Sequence, residues 1–201
     1  MAQTVLVTGG AGFIGSEIVR LLSEKTDYGI RVLDSLTEQI HGENPEDSYL
    51  YQSIKDRCEF IRGDVRDFDT VSEALEGVDY VIHLAAETGT GQSMYMINQY
   101  NSVNVMGLSN IFQALSLKGS ENTVRKIVLS SSRSVYGEGK YCCPNCGVVY
   151  PRGRHADDMI RGDFSMHCDT CNAQLTLLPT TEDSRRRRIP CMRSPSWHRS
   201  R

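Results

Sequence analysis

Long apolar runs are missing from this sequence. No stretch approaches eighteen consecutive apolar residues, and the N-terminal "MAQTVLVTGG" has no basic region ahead of its short apolar run. Neither a membrane span nor a signal peptide is expected, and the reading that follows is a cytoplasmic protein with no membrane partner. Tyrosine is absent after Tyr150 and lysine after Lys140, so no tyrosine–lysine pair can lie in the last fifty residues. Acidic residues are absent from Ser184 to Arg201, which carries seven arginines, whereas residues 1–183 hold 15 basic against 25 acidic groups, a net of −10. The last eighteen residues are therefore foreign in composition to the rest. Seven cysteines in a protein of that compartment point to thiols or metal ligands rather than disulfides. At 201 residues the chain can bury the core of one α/β domain with a small appendage, and is short for two full domains.

What is present begins with "TVLVTGG", an apolar and β-branched run that breaks into glycine, followed by "AGFIGSEIVRLLSEK", in which Ile14, Ile18, Leu21 and Leu22 recur at helical spacing. This reads as strand, tight turn and helix. Gly9, Gly12 and Gly15 form G-x-x-G-x-x-G in the turn: the first permits the turn, the second lets the backbone approach a pyrophosphate, and the third lets helix and strand pack closely. Phosphates would then face a helix N-terminus, where unpaired N–H groups and the helix dipole favour anions. A second strand, "IRVLDSL", ends in Asp34, nineteen residues after Gly15, where a carboxylate would accept hydrogen bonds from an adenosine ribose and repel a 2′-phosphate. NAD is thus expected over NADP; the alternative is that Asp34 only ends a strand and opens a turn. "CEFIRGDVRD" reads as a third strand ending in Gly63-Asp64-Val65 and "VDYVIHLAAETG" as a fourth ending in Leu84-Ala85-Ala86, whose small residues leave space for a flat cofactor. His83 is expected to be a packed strand histidine. One long helix is expected from Ser93 to Lys118, then a fifth strand in "KIVLSSS". Strands alternating with helices give an α/β, Rossmann-type doubly wound parallel sheet of about five strands.

"VTGGAGFIGSEIVRLL", "VLDSLT", "GDVRD", "HLAAETG", "NVMGLSNIFQAL" and "VLSSSRSVYG", in that order, make residues 3–140 resemble the extended short-chain dehydrogenase/reductase family of NAD-dependent nucleotide-sugar epimerases and dehydratases. The resemblance implies that Gly9, Gly12, Phe13, Ile14 and Gly15 lie at the pyrophosphate, Asp34 at the ribose, Asp64 and Val65 at the adenine, and Leu84, Ala85 and Ala86 along the cofactor. It also makes Asn104 the family's helix asparagine, a further cofactor-site residue, and Ser132 its catalytic serine. A nucleotide-sugar substrate and a homodimer are implied likewise. In the implied reaction a tyrosinate takes the proton of a sugar hydroxyl while hydride leaves C4; a 4-keto intermediate rotates and receives hydride on its other face. A lysine lowers the tyrosine pKa, and a serine hydroxyl hydrogen-bonds the reacting oxygen.

Tyr136 and Lys140 have the i, i+4 spacing of that tyrosine and lysine. In the family, however, the active Tyr-x-x-x-Lys comes later, opening the helix after an intervening loop. Gly137 and Gly139 also disfavour a helix from Tyr136 to Lys140, by about 1 kcal/mol each. The pair is not expected to be the catalytic dyad, which leaves Tyr136 to line a pocket or to pack. "LPTTED" resembles the lead into the family's catalytic helix, but "SRRRRIPCMRSPSWHRSR" stands where that helix should be. A frame change or premature end in the coding sequence would explain this, and a natural basic tail is the alternative. Impaired or absent turnover is expected of the chain as written.

Cys143-Pro-Asn-Cys146-Gly and Cys168-Asp-Thr-Cys171 are two Cys-x-x-Cys knuckles separated by 21 residues. Together they can give four thiolates to one structural zinc, with a glycine after the first knuckle easing its turn; reduced free thiols are the alternative. His155 and His167 are not needed as ligands, Cys142 is the spare best placed to substitute, and Cys58 and Cys191 are expected to be ordinary thiols. A four-cysteine insert after "SSRSVYGEGKY", with "AAETGTGQSMY", is similar to the dTDP-L-rhamnose 4-epimerase branch of the family. The expected organisation is an NAD-binding Rossmann domain over 1–140, a zinc-ribbon-like insert over 141–178 and a divergent, disordered basic tail over 179–201. The competing reading is a non-catalytic zinc-ribbon module that contacts nucleic acid through its tail. Against it, the insert holds only Arg152, Arg154 and Arg161 as basic residues and no aromatic stripe.

Overall fold

The computed structural model describes residues 3–186, and the chain divides after Ser130 into two compact units. The first is built on strands β1 (Thr4–Thr8), β2 (Gly29–Asp34), β3 (Glu59–Arg62), β4 (Tyr80–His83) and β5 (Lys126–Leu129), in the order β3-β2-β1-β4-β5. All four ladders are parallel. Side chains alternate between the faces of a strand, so a strand buried on both faces must be apolar almost throughout. Val5, Val7 and Val32 accordingly join one core cluster with Val19 of helix α1 (Phe13–Lys25). Leu6, Leu33 and Val81 join the other, with Val71 of helix Phe68–Ala74 and Ile111 of helix Gly107–Lys118. Leu6 and Leu33 are fully buried, which stabilises the fold by about 1.5–3 kcal/mol for each side chain.

This strand order creates the site. The chain passes from β1 outward to β2 and β3, then returns to the other side of β1 as β4, opening a crevice beyond the carboxyl ends of β1 and β4. β3, β4 and β5 stop at Arg62, His83 and Leu129, so Asp64–Val65, Leu84–Ala86 and Ser130 lie just past the strand ends. The helix expected from Ser93 starts instead at Ile97, after a separate turn at Thr90–Ser93. It widens into a π-helical turn over Ser102–Met106 before continuing as Gly107–Lys118. Such turns accompany functional positions, and this one carries Asn104.

The second unit contains β6 (Tyr141–Cys143), β7 (Gly147–Val149) and β8 (Thr176–Leu177), an antiparallel sheet in the order β7-β6-β8. Tyr141, Cys143, Met166, Cys168 and Leu175 form its core, with Val149 and Ala173 packed against them. Residues 131–140 belong with this unit. Lys140 N–H donates to Thr180 Oγ1 (3.2 Å) and Leu178 N–H to the Lys140 carbonyl (2.9 Å). Residues 179–186, the start of the segment expected as a disordered tail, make defined contacts: Ser184 is buried, and its N–H donates to the Thr181 carbonyl at 2.9 Å. The rest of the tail, with Cys191, lies outside the described residues. Among the described residues no helix is long and apolar enough to cross a membrane.

Candidate dinucleotide site and metal centre

The glycine loop between β1 and α1 is built for close approach. Gly9 has φ +70°, and a Cβ there would stand 2.6 Å from the Ala85 nitrogen. A Cβ on Gly15 would stand 2.2 Å from the Gly9 carbonyl oxygen. Both clashes are with backbone, so neither position tolerates a side chain without movement of the loop. Gly12 is the N-cap of α1 and offers no capping side chain, and the first helical bond runs from Ser16 N–H to the Gly12 carbonyl (2.9 Å). The N–H groups of Phe13, Ile14 and Gly15 thus head the helix with no intrahelical acceptor, an arrangement that suits an anion. The Phe13 and Ile14 side chains point to solvent, 82% and 61% exposed, so it is their backbone that this turn offers.

Asp34 ties the end of β2 to this loop. One carboxylate oxygen accepts from Ala11 N–H (2.9 Å) and the other from Leu36 N–H (2.9 Å), and each keeps a lone pair for a ribose hydroxyl. Past β3, Asp64 accepts from Arg66 N–H, Nε and Nη2 at 2.6–2.9 Å. Burial alone would raise its pKa, but these bonds and the arginine charge outweigh burial and hold the carboxyl below its usual range. Val65 is buried and packs against Gly107, where a Cβ would come within 2.6 Å of the valine side chain. Asn110 Nδ2 donates to the Val65 and Arg66 carbonyls at 2.9 and 3.0 Å.

Beyond β4, Thr8 Oγ1 lies 2.7 Å from His83 Nδ1 and accepts from Leu84 and Ala85 N–H at 3.3 Å each. His83 is packed in the sheet as expected, and desolvation lowers its pKa. Asn104 grips the Glu87 backbone, with Oδ1 accepting from its N–H (2.8 Å) and Nδ2 donating to its carbonyl (3.1 Å). Its amide therefore shapes the loop after β4. Asn110, Thr8 and Gly107 were not singled out from sequence; the only signal was their place among the quoted motifs. The glycine cradle, the open N–H groups and the small residues past β4 together fit a dinucleotide.

The second unit holds the other candidates. Ser132 caps a 3₁₀ turn over Arg133–Tyr136, its Oγ accepting from Ser134 N–H (3.2 Å) and from Ser134 Oγ (2.8 Å). Gly137 and Gly139 have φ of +64° and +96°, so Tyr136 and Lys140 are not on one helix and the i, i+4 spacing brings no pairing. Tyr136 instead lines a polar pocket with Tyr150, Pro151, Arg152, Asp169 and Arg185. A second Tyr-x-x-x-Lys, Tyr51 to Lys55, is structural: the Tyr51 ring meets Phe60 edge-on at 4.9 Å between centroids.

The sulfur atoms of Cys143, Cys146, Cys168 and Cys171 all lie within 4.8 Å of one another. Cys143–Cys171, Cys146–Cys171 and Cys146–Cys168 are 3.4, 3.7 and 3.9 Å apart. Four thiolates about 2.3 Å from one tetrahedral ion would stand about 3.8 Å apart, so the cluster fits a metal. Gly147 follows the first knuckle at φ +73°, and Asn172 holds the matching place after the second at φ +58°. Backbone hydrogen bonding lowers the Cys168 thiol; at Cys171 the Ala173 backbone, with Cys143 and Asn145, lowers it to about 6. Cys146, crowded by the Cys171 and Cys143 sulfurs, is pushed up to about 12. Cys142 and Cys58 stand outside the cluster, and burial raises Cys58 to about 11. Arg154 pairs with Glu138 (3.7 Å) and Arg161 with Asp158, so these arginines of the insert already face carboxylates.

A family model described as "NAD dependent epimerase/dehydratase family" matches residues 5–150. The chain belongs to that family. It is 35% identical over 185 residues to a dTDP-L-rhamnose 4-epimerase of Burkholderia thailandensis, covering 90% of this chain and 47% of the relative. A UDP-glucose 4-epimerase of Oryza sativa is 34% identical over 142 residues, covering 67% of this chain and 36% of the relative. Among solved structures, a dTDP-glucose 4,6-dehydratase of Streptomyces venezuelae with NAD bound superposes with a TM-score of 0.56 at 32% identity, covering 67% of this chain and 41% of that one. The chain thus spans less than half the length of these relatives.

Proposed function

We propose that this chain is the NAD-binding part of a cytoplasmic, homodimeric nucleotide-sugar 4-epimerase of the dTDP-L-rhamnose type, with a zinc-ribbon insert. The observation that carries the reading is the reach of the Burkholderia match. Covering 90% of the chain, it can leave out only about 20 residues, so it extends across the cysteine knuckles, whereas the rice epimerase match covers 67%. The four clustered thiols support a zinc ion there, held by Cys143, Cys146, Cys168 and Cys171, and thiolate ligands suit a reducing compartment.

When bound, NAD supplies reversible hydride transfer at a sugar carbon. The N–H groups of Phe13, Ile14 and Gly15 would hold its pyrophosphate, Asp34 its adenosine ribose, and the loop of Asp64 and Val65 its adenine. Leu84, Ala85 and Ala86 would flank the rest, with Asn104 fixing the loop that follows them. Ser132 would hydrogen-bond the reacting oxygen. Past Lys140 there is no lysine and past Tyr150 no tyrosine, and Tyr136 and Lys140 are not paired on a helix. The 201-residue chain therefore binds NAD without appreciable epimerase turnover, because general base catalysis of this kind contributes about 10² to 10⁴ in rate.

Calorimetry with NAD and NADP tests the cofactor half of this reading, and metal analysis tests the other. NAD should bind more tightly, Asp34→Ala should narrow the difference, and one zinc per chain should copurify. Equal affinities for the two cofactors would overturn the assignment of Asp34. Measurable conversion of dTDP-L-rhamnose to its C4 epimer, abolished by Tyr136→Phe, would make Tyr136 and Lys140 the working pair.

A further inference from the structure

A polar strap crosses the candidate cofactor crevice. Gln39, in the short helix Glu38–His41 that follows β2, donates from Nε2 to Oε1 of Gln92, in the turn Thr90–Ser93 that follows β4 (3.1 Å). β2 and β4 are not neighbours: β1 lies between them, and adjacent strands are about 4.8 Å apart. Loops leaving the carboxyl ends of β2 and β4 can join only by bridging past the end of β1, where the glycine loop begins.

The β4 side of the strap is anchored from behind. Tyr100 Oη donates to the Thr88 carbonyl (2.8 Å) and the Gly89 carbonyl (3.0 Å) and lies 3.3 Å from Gln92 Oε1, the oxygen that receives Gln39. Gln99 donates to the Glu87 carboxylate (2.8 Å), and Asn104 holds the Glu87 backbone. One helix therefore fixes the loop that presents Gln92, while on the β2 side Asp34 bonds Leu36 N–H three residues before Gln39.

We propose that Gln39 and Gln92 form a latch over the dinucleotide, which must open for the cofactor to enter and to leave. This rests on the NAD reading of the crevice. The latch joins protein to protein, so it costs the same to open with the crevice filled or empty. Its loss speeds both directions alike, whereas losing a residue that contacts the cofactor raises the dissociation rate alone.

The test is stopped-flow NADH fluorescence on the 201-residue chain, with association from mixing and dissociation from a chase with excess NAD. Gln39→Leu and Gln92→Leu should each raise both rate constants about two- to fivefold, as expected for one exposed hydrogen bond, with Kd little changed. The double variant should add nothing further. Gln92→Glu keeps the acceptor and should retain wild-type rates, whereas Gln39→Glu combined with Gln92→Glu sets two carboxylates face to face and should release the latch. That contrast is one a general weakening of the fold would not produce, and melting temperatures check that each variant is folded. Unchanged rates in folded leucine variants, or a rise in dissociation alone, overturn the latch and leave the NAD reading standing. A wild-type chain that binds no NADH overturns both.

Discussion

The parallel sheet buries 11 residues in one apolar cluster and eight in the other, whereas the antiparallel unit buries five, two of which are cysteines. At about 25 cal/mol per Å², apolar burial is the main term that opposes the conformational entropy of the first unit. Five side chains cannot do the same for a segment the length of the second, and units that small need a metal or another cross-link. Unit one is therefore a hydrophobic fold with a binding site at its rim, and unit two is organised about its four thiols. What would serve as cofactor site in the first lies at the edge of its core, and what would serve as metal site in the second stands at its centre.

Cysteine substitution should separate the two most sharply. Structural zinc in small domains contributes an apparent 10–16 kcal/mol, approximately, to folding, and loss of one ligand forfeits much of it. Cys143→Ser or Cys168→Ser is expected to abolish zinc in metal analysis and to remove hydrogen-exchange protection from 141–178. Protection over β1 to β5 should persist. Simultaneous loss in both regions would mean that the first core does not stand by its own burial.

Gly15→Ala should act in the opposite half. Its Cβ would meet the Gly9 carbonyl at 2.2 Å and Gly10 Cα at 2.7 Å, and backbone cannot yield as a side-chain end can. A loss of about 1–3 kcal/mol in denaturant unfolding of the first unit is expected, with NAD binding abolished and zinc content unchanged. A smaller effect is expected of Asn110→Ala. It strips the Val65 and Arg66 carbonyls of their shared donor, for about 1 kcal/mol, and should weaken NAD through the adenine-side loop. Calorimetry on that variant would locate the loss.

The parallel sheet was legible because its signals are redundant: apolar strands, a glycine turn and a carboxylate at the next strand end all require the same topology. The cysteine cluster was legible from spacing alone. The π turn was not, because the apolar positions from Ile97 to Leu115 keep a helical period through it, and the hydrogen bonds of Asn104 depend on where the loop after β4 lies. Asn172 was missed since an asparagine in a left-handed turn carries no local mark, although it does for the second knuckle what Gly147 does for the first. Tyr136 and Lys140 show the converse: a motif at the right spacing, set aside because it comes too early for the family's dyad and two glycines disfavour a helix there, and those glycines have left-handed conformations.

The smallest expected effect is a pH dependence confined to the first unit. His83 is buried beside Thr8, and desolvation sets its folded pKa below the ordinary histidine value. Above about pH 7.5 both folded and unfolded chains hold it neutral, and it contributes no pH dependence. As pH falls through about 6.5 the unfolded chain takes up a proton that the folded chain refuses, so stability declines until the lower folded pKa is reached. Denaturant unfolding of the first unit should therefore weaken between pH 7.5 and pH 5, and His83→Gln should reduce that slope without abolishing it, because burial also lowers the pKa of His41. Acid loss of zinc is a separate event, because protons compete directly for thiolates. Metal release and sheet unfolding should accordingly follow different pH curves, and His83→Gln should move only the second. A substitution that shifted both together would show that the sheet and the thiol cluster do not unfold independently.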